Sequence, residues 1–221
     1  NGDGLTDILA GNLGTNSRIK TSENAPLKMV INDFDQNGSL EHILAFQQSE
    51  KTIPMVLKPA LLKQIPSLKK QLTTYAAYQS MPLEQLFPAS VWANSLILRV
   101  DLLETTLWMN QGNGRFTKAS LPVEIQSSPV YSVDLIHDAQ GQSYLVFGGN
   151  QSRIKPEMGS QMGSYGWVLK SEKNEKWNLL LPESSGFFVP GEIRSMLQIQ
   201  SGPKSKLITF RNNETPLVFE I

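Results

Sequence analysis

Residues 33–41 form the segment that most constrains what this chain can fold into. Side chains that carry oxygen stand at its first, third, fifth and ninth positions, and glycine stands at its sixth. A hard cation such as Ca²⁺ takes roughly six to eight oxygen ligands in a flexible shell, and glycine permits the sharp turn that gathers them. The segment therefore predicts a Ca²⁺ site. Its expected ligands are the side chains of Asp33, Asp35, Asn37 and Glu41 and the backbone carbonyl of Ser39.

Two other interpretations of this loop have to be weighed. An EF-hand requires flanking helices and a bidentate glutamate at position 12. Position 12 is Leu44, and residues 27–31 and 42–46 have the apolar pattern of strands, so the EF-hand is excluded. A metal-free hairpin turn rich in Asp and Asn stays open. Three carboxylates in so short a loop repel one another, which favours the interpretation with a cation.

A second, incomplete loop of the same kind lies at the start of the chain. When its last residue is aligned with Glu41, three residues fall on ligand positions: Asn1, Asp3 and Asp7. The residue equivalent to Asp33 would precede Asn1. We therefore expect a weak, truncated second site, and we expect the chain to be a C-terminal fragment of a longer protein.

Strand-like segments recur along the chain after loops of this kind. A third loop, aligned through Tyr144, keeps only one carboxylate, Asp138, so we expect it to bind no metal; turn 201–204 has no carboxylate at all. Two strand-like runs flank residues 110–114, which contain Asn-Gly, a strong hairpin signal. Such recurrence points to a repeat architecture. The four recurring strands are predicted at residues 7–12, 41–46, 144–150 and 206–212.

One segment, residues 58–87, has a helical pattern instead. Apolar residues recur there at steps of three and four, which predicts one buried helix face. Pro66 should divide the segment, and a new helix should begin near residues 80–84 and end near Phe87. We expect a helical insertion that packs this face on a β scaffold. The residues of the face are Leu61, Ile65, Leu68 and Leu72.

The complete loop and its truncated counterpart resemble the calcium loops of FG-GAP/VCBS repeats, which build integrin-α-type β-propellers. Residues 107–116, followed by Leu121 and Pro122, are similar to the hairpin that precedes each such loop. The stretch from Gly191 to Asn213 resembles a last blade. The resemblance extends to exported Bacteroidetes-type proteins that are themselves similar to cartilage acidic protein. It covers most of the chain except the helical insertion.

This resemblance implies an all-β fold, with residues 1–221 forming a single domain that is a partial β-propeller of about four blades. The helical insertion at residues 58–87 would lie within it. Missing blades of the parent protein or a second copy would cover the open sheet edges. The implied function is a non-enzymatic, calcium-stabilised scaffold for binding or adhesion. It would work outside the cytoplasm, as a secreted, periplasmic or cell-surface protein, with a protein or glycan as its ligand.

Composition argues against several function classes. Lys plus Arg and Asp plus Glu number 20 each, and no basic stripe occurs, which argues against nucleic acid as a partner. There is no cysteine, and His42 and His137 lack the spacing of metal ligands. No apolar run approaches the roughly 18 residues of a membrane span. Two alternative functions stay open: an accessory region of a glycan-processing or other enzyme whose active site lies elsewhere in the full-length chain, and a metal-free structural spacer.

Overall fold

The fold is known from a computed structural model, and strands account for more of it than helices. The four sheets in the described residues are antiparallel and none of them closes on itself, so the predicted all-β class is confirmed. The chain divides into two compact units: unit 1 comprises Asn1–Arg18 and Leu103–Ile221, and unit 2 comprises Ile19–Leu102. That residues 1–221 form one domain stays a prediction. The described residues are 3–79, 81–172, 176–201 and 204–221.

The strands are β1 (Ile8–Ala10), β2 (Leu27–Asn32), β3 (Glu41–Gln48), β4 (Lys51–Pro54), β5 (Leu96–Val100), β6 (Thr106–Asn110), β7 (Phe116–Ala119), β8 (Val130–His137), β9 (Ser143–Gly149), β10 (Trp167–Ser171), β11 (Trp177–Leu180), β12 (Ile193–Ser201), β13 (Lys204–Arg211) and β14 (Glu214–Glu220). The α-helices are α1 (Lys58–Gln64), α2 (Tyr75–Gln79), α3 (Leu83–Leu86), α4 (Ala89–Ala93) and α5 (Pro182–Ser185). Three 3₁₀ helices span Pro66–Lys70, Val123–Ser127 and Pro156–Met158.

Unit 2 is built on one four-stranded sheet with the order β4-β3-β2-β5. The β2–β3 register runs from Leu27 opposite Phe46 to Asn32 opposite Glu41. Loop 33–41 is therefore the turn of a β hairpin, as the apolar flanks predicted. This placement puts the candidate ligands at one end of the sheet.

The helical segment of unit 2 lies between β4 and β5, where the sequence predicted an insertion. Pro66 separates α1 from the following 3₁₀ helix, because proline lacks an N–H and clashes with the preceding turn. Helical structure continues beyond the predicted end at Phe87 through α4. The predicted apolar face is buried and packs on the sheet. This core contains Leu61, Ile65, Leu68 and Leu72 of the segment together with Val30, Phe34, Ile43 and Ala45.

Unit 1 contains three sheets, with the orders β1-β6-β7, β11-β10-β9-β8 and β12-β13-β14. The hairpin predicted around residues 110–114 is β6–β7. Strand β1 pairs with β6, with Ile8 opposite Trp108, although the whole of unit 2 separates them in the chain. Strand β12 packs against β8 and β9. The core between these two sheets includes Val146 and Ile193.

Strands β4 and β5 were not predicted from the sequence. Strand β5 is an edge strand that is exposed along its whole length, and its apolar residues do not alternate with polar ones. A short continuous apolar run fits a buried strand or a buried helix segment equally well, so this run did not by itself predict an exposed edge strand. Of the helices in the described ranges, none is long and apolar enough to cross a membrane.

Candidate metal centre

Loop 33–41 is folded by its own side chains. The carboxylate of Asp33 accepts two backbone hydrogen bonds, from the N–H of Asn37 at 2.9 Å and from that of Gly38 at 2.8 Å. The side-chain oxygen of Asn37 accepts a third, from the N–H of Ser39 at 2.8 Å. Gly38 has a φ of 88°, a left-handed conformation that glycine adopts without steric strain. The turn is therefore shaped by the residue types that the sequence pattern singled out.

Glu41 fixes the other side of the loop from a buried position. One of its carboxylate oxygens, Oε2, accepts a hydrogen bond from the backbone N–H of Phe34 at 2.9 Å. The ring of Phe34 stacks on that of Phe87, with the ring centroids 4.3 Å apart. The loop is thus anchored in the core formed by the sheet and the helical segment.

Asn32 is a second anchor, which sequence reasoning missed. Its side-chain oxygen accepts a hydrogen bond from the N–H of Asp33, and its Nδ2 donates to the carbonyl of Val91, at 2.6 Å, and to the hydroxyl of Ser95. These bonds tie the first residue of the loop to α4 and the residues after it. No local pattern shows a bond across about 60 residues, although an Asn at the end of a strand is a common turn residue.

Three carboxylates meet at this loop. Asp33, Asp35 and Glu41 each offer an oxygen, and these oxygens all lie within 4.8 Å of one another. The Oδ1 atom of Asp35 is buried and has no hydrogen-bond partner among the described residues. A buried polar atom without a partner is costly, and a charged one more so. An oxygen-only cluster of negative charge with an unsatisfied buried acceptor fits a hard divalent cation.

Of the predicted ligand set, the structure shows the carboxylates of Asp33, Asp35 and Glu41 gathered together. Asn37 and Ser39 are exposed and lie in the same loop as the three carboxylates. Of the truncated loop, Asn1 lies outside the described residues. Asp3 Oδ1 accepts a hydrogen bond from the N–H of Leu5, and Asp7 Oδ1 accepts one from the N–H of Asn110, both at 2.8 Å. The described part of that loop contains only two carboxylates, Asp3 and Asp7, and its metal binding stays a prediction.

The loop at Asp138 satisfies its one carboxylate with hydrogen bonds. Asp138 Oδ1 accepts from the N–H groups of Gln140 and Gln142, each at 2.9 Å. Its Oδ2 accepts from the hydroxyl of Tyr144, which stands where the first loop has Glu41. The Gln142 N–H, followed by the Tyr144 hydroxyl and the Gln140 N–H, lowers the pKa of Asp138, while burial raises that of Tyr144.

Removing the hydroxyl of Tyr144 tests whether its hydrogen bond lowers the pKa of Asp138. In a Tyr144→Phe variant we expect the pKa of Asp138 to rise toward its ordinary value without reaching it, because the Gln142 and Gln140 N–H groups remain. An NMR titration of the Asp138 carboxyl carbon measures this. A pKa that does not move in Tyr144→Phe would contradict the assigned hydrogen bond, and Tyr131→Phe serves as the control.

A buried polar network in unit 1 is another feature that sequence reasoning did not find. Glu192 is only 5 % exposed, and its carboxylate accepts hydrogen bonds from the hydroxyl and N–H of Ser152, from Asn212 and from Arg194. The Arg194 guanidinium also stacks over the ring of Tyr131, 4.3 Å from its centroid. These contacts, the Ser152 hydroxyl foremost, lower the pKa of Glu192 to about 2. The protein itself supplies these hydrogen-bond donors to the Glu192 carboxylate, so the network is structural.

Comparisons with known proteins add no support to the family resemblance. No family model matches the chain, and neither the curated proteins nor the solved structures contain a match. The resemblance to FG-GAP/VCBS repeats therefore depends on the motifs of loop 33–41 and its counterparts.

Proposed function

We propose that this protein is a non-enzymatic scaffold for binding or adhesion that works outside the cytoplasm and is stabilised by Ca²⁺ at loop 33–41. The observation that carries the proposal is the buried Asp35 Oδ1 atom, which has no partner among the described residues and lies within a cluster of three carboxylates. A divalent cation would neutralise that cluster and supply the missing partner. The predicted set of ligands to it is Asp33, Asp35, Asn37, Glu41 and the carbonyl of Ser39.

The residues of the loop have separate parts in this proposal. Asp33 folds the turn through the N–H groups of Asn37 and Gly38, so its carboxylate is held in place before any ion binds. Glu41 is held by the N–H of Phe34. Preorganised ligands lose less conformational entropy on binding. Bound Ca²⁺ supplies positive charge that removes the repulsion between the carboxylates.

Stabilisation of the loop by Ca²⁺ would also stabilise the rest of unit 2. Phe34 lies in the same core as the helical segment, and Asn32 bonds to α4. A cation that holds the loop therefore also holds one wall of that core. This connection favours a structural metal over a catalytic one, because the protein groups around the carboxylates are engaged in packing and in backbone hydrogen bonds.

The proposed location follows from the chemistry of such sites. Extracellular Ca²⁺ modules bind with dissociation constants of roughly 10⁻⁴ to 10⁻³ M, so a site of this class fills outside a cell and stays empty in the cytosol. For the fold, we propose that the four sheets are blades of a partial β-propeller. The packing of β12 on β8 and β9 in unit 1 supports that arrangement. The proposed ligand is a protein or a glycan.

Chelation tests the metal. We expect EDTA to lower the melting temperature of the wild-type protein, because a ligand at 100 times its dissociation constant adds about 2.7 kcal/mol of stability. In the double variant Asp33→Ala and Asp35→Ala, this sensitivity should disappear. Differential scanning calorimetry in EDTA, in CaCl₂ and in MgCl₂ measures both effects.

The matched control for chelation is Asp138→Ala. This substitution removes a carboxylate that already has the hydroxyl of Tyr144 as a hydrogen-bond partner. That variant should keep the full response to Ca²⁺. A wild-type melting curve that is the same with and without chelator would refute the metal site. A screen of the Ca²⁺-loaded protein on a glycan array and against extracellular proteins tests the scaffold, since a spacer would bind neither.

A further inference from the structure

The helical segment of unit 2 carries a local excess of positive charge. From Lys51 to Leu83 the sequence contains five lysines and no aspartate, glutamate or arginine, although the chain as a whole has zero formal net charge. Salt and solvent screen such charges when they are scattered over a surface. Three of these lysines instead line one cavity.

The cavity lies on the helical segment and has a volume of about 440 Å³, which is within the range of about 300–1,000 Å³ for small-molecule sites. No carboxylate is among the described residues that line it. Among these lining residues, cations and apolar surface therefore meet without a carboxylate. The lining residues are Lys58, Pro59, Leu62, Lys63, Lys69 and Tyr75.

Lys58 is the least exposed of the lysines in this cavity. It is only 9 % exposed, and its ammonium lies over the ring of Tyr75, 5.0 Å from the centroid. In the described parts of the chain no ion pair or hydrogen bond to this ammonium is present. Its Nζ is not among the buried side-chain atoms that lack a partner in the described residues, so the buried part of Lys58 is its aliphatic stem and its ammonium stays accessible in the cavity. The ammonium is thus available to an anion from outside the protein.

The position of Lys58 in its helix makes the same point. Lys58 is the first residue of α1, where the helix dipole disfavours a cation, whereas Lys63 in the last turn is favoured. Helix stability therefore accounts for Lys63 and leaves Lys58 unexplained. The helices that carry the lysines are fixed by buried Leu61 and Leu68, so the cavity wall is held in place by the core.

We propose that this cavity binds a small organic anion in which a carboxylate, sulfate or phosphate group lies beside a ring. The three ammonium groups would take the anionic group. Tyr75, which is 68 % exposed, and the apolar side chains of Pro59 and Leu62 would take the ring face. Acidic sugars and nucleotides both carry this chemistry. The site is independent of the Ca²⁺ loop and does not depend on the function proposed above.

Calorimetric titration at fixed ionic strength tests the proposal with four probes: glucuronic acid, adenosine monophosphate, sodium sulfate and neutral glucose. We expect saturable binding of at least one ring-bearing anion, weaker binding of sulfate and none of glucose. The double variant Lys63→Gln and Lys69→Gln should weaken binding by about tenfold or more, because two charge-assisted contacts are lost. Which ring-bearing anion binds distinguishes a sugar from a nucleotide.

The matched control is Lys70→Gln, which removes the same charge from the neighbour of Lys69 but does not line the cavity. It should leave the affinity unchanged. Tyr75→Ser should weaken binding of the ring-bearing anion and leave binding of sulfate unchanged. Circular dichroism establishes that each variant is folded, and repeating the titration with the Asp33→Ala and Asp35→Ala protein separates this site from the metal. Absence of saturable binding, or an equal loss in Lys70→Gln, would overturn the proposal.

Discussion

Replacing Phe34 by alanine should lower the free energy of unfolding of unit 2 by about 3–5 kcal/mol, the usual cost of truncating a buried phenylalanine. Phe34 is buried and stacks on Phe87 at 4.3 Å. It also donates its backbone N–H to the candidate ligand Glu41. The loss of the ring should therefore reduce Ca²⁺ affinity as well as stability, because the loop loses its anchor in the core. Urea denaturation and Ca²⁺ titration measure the two effects.

Phe87→Ala is the matched control, since it removes the other ring of the same stacked pair. Phe87 belongs to the helical segment and has no part in loop 33–41. We expect a comparable loss of stability but a smaller loss of Ca²⁺ affinity than in Phe34→Ala. Equal effects of both variants on affinity would show that the core as a whole sets the metal site. An unchanged stability in Phe34→Ala would contradict the assigned packing.

Hydrogen exchange offers a view of the same connection in the wild-type protein. If the loop is one wall of the unit 2 core, chelation should raise amide exchange in α1 and α3 as well as in the loop. This expectation follows from local opening, in which segments that share a core open together. The amides of β13, in unit 1, serve as the reference.

The parts of the fold that the sequence predicted are those fixed by local spacing. Loop 33–41 was found because its oxygen-bearing residues and Gly38 recur at fixed positions, and its flanking strands because each is a short apolar run. The helical segment was found from the steps between Leu61, Ile65 and Leu68. In each case the physical cause lies within about ten residues, so a single sequence contains it.

The parts that were missed depend on partners far away in the chain. The pairing of Ile8 with Trp108 joins one residue that precedes unit 2 in the chain to one that follows it. The bonds of Asn32 to α4 and of Glu192 to Ser152 are set by the folded core. The unsatisfied Asp35 oxygen could not be predicted either, because burial of one atom depends on every residue packed round it. The sequence thus predicted the loop in which the three carboxylates gather, and Ca²⁺ binding there stays a proposal.

Replacing Glu192 by glutamine should lower the free energy of unfolding at neutral pH by about 1–3 kcal/mol, because charge-assisted hydrogen bonds are lost and Arg194 loses its partner. The pH dependence follows from the pKa of Glu192, which hydrogen bonds from Ser152 and its other partners lower from 4.5 to about 2. A lowered pKa means that the carboxylate stabilises the folded state above pH 4.5 and that this stabilisation is lost as pH falls toward 2. Urea denaturation of wild type and variant across this range should therefore give free energies of unfolding that converge in acid.

The control is Glu214→Gln. The ion pair of Glu214 with Arg211 is 45 % exposed on the Glu214 side and should contribute less than about 1 kcal/mol. A constant difference between wild type and Glu192→Gln from pH 7 to pH 2 would mean that the lost contacts do not depend on the charge of Glu192.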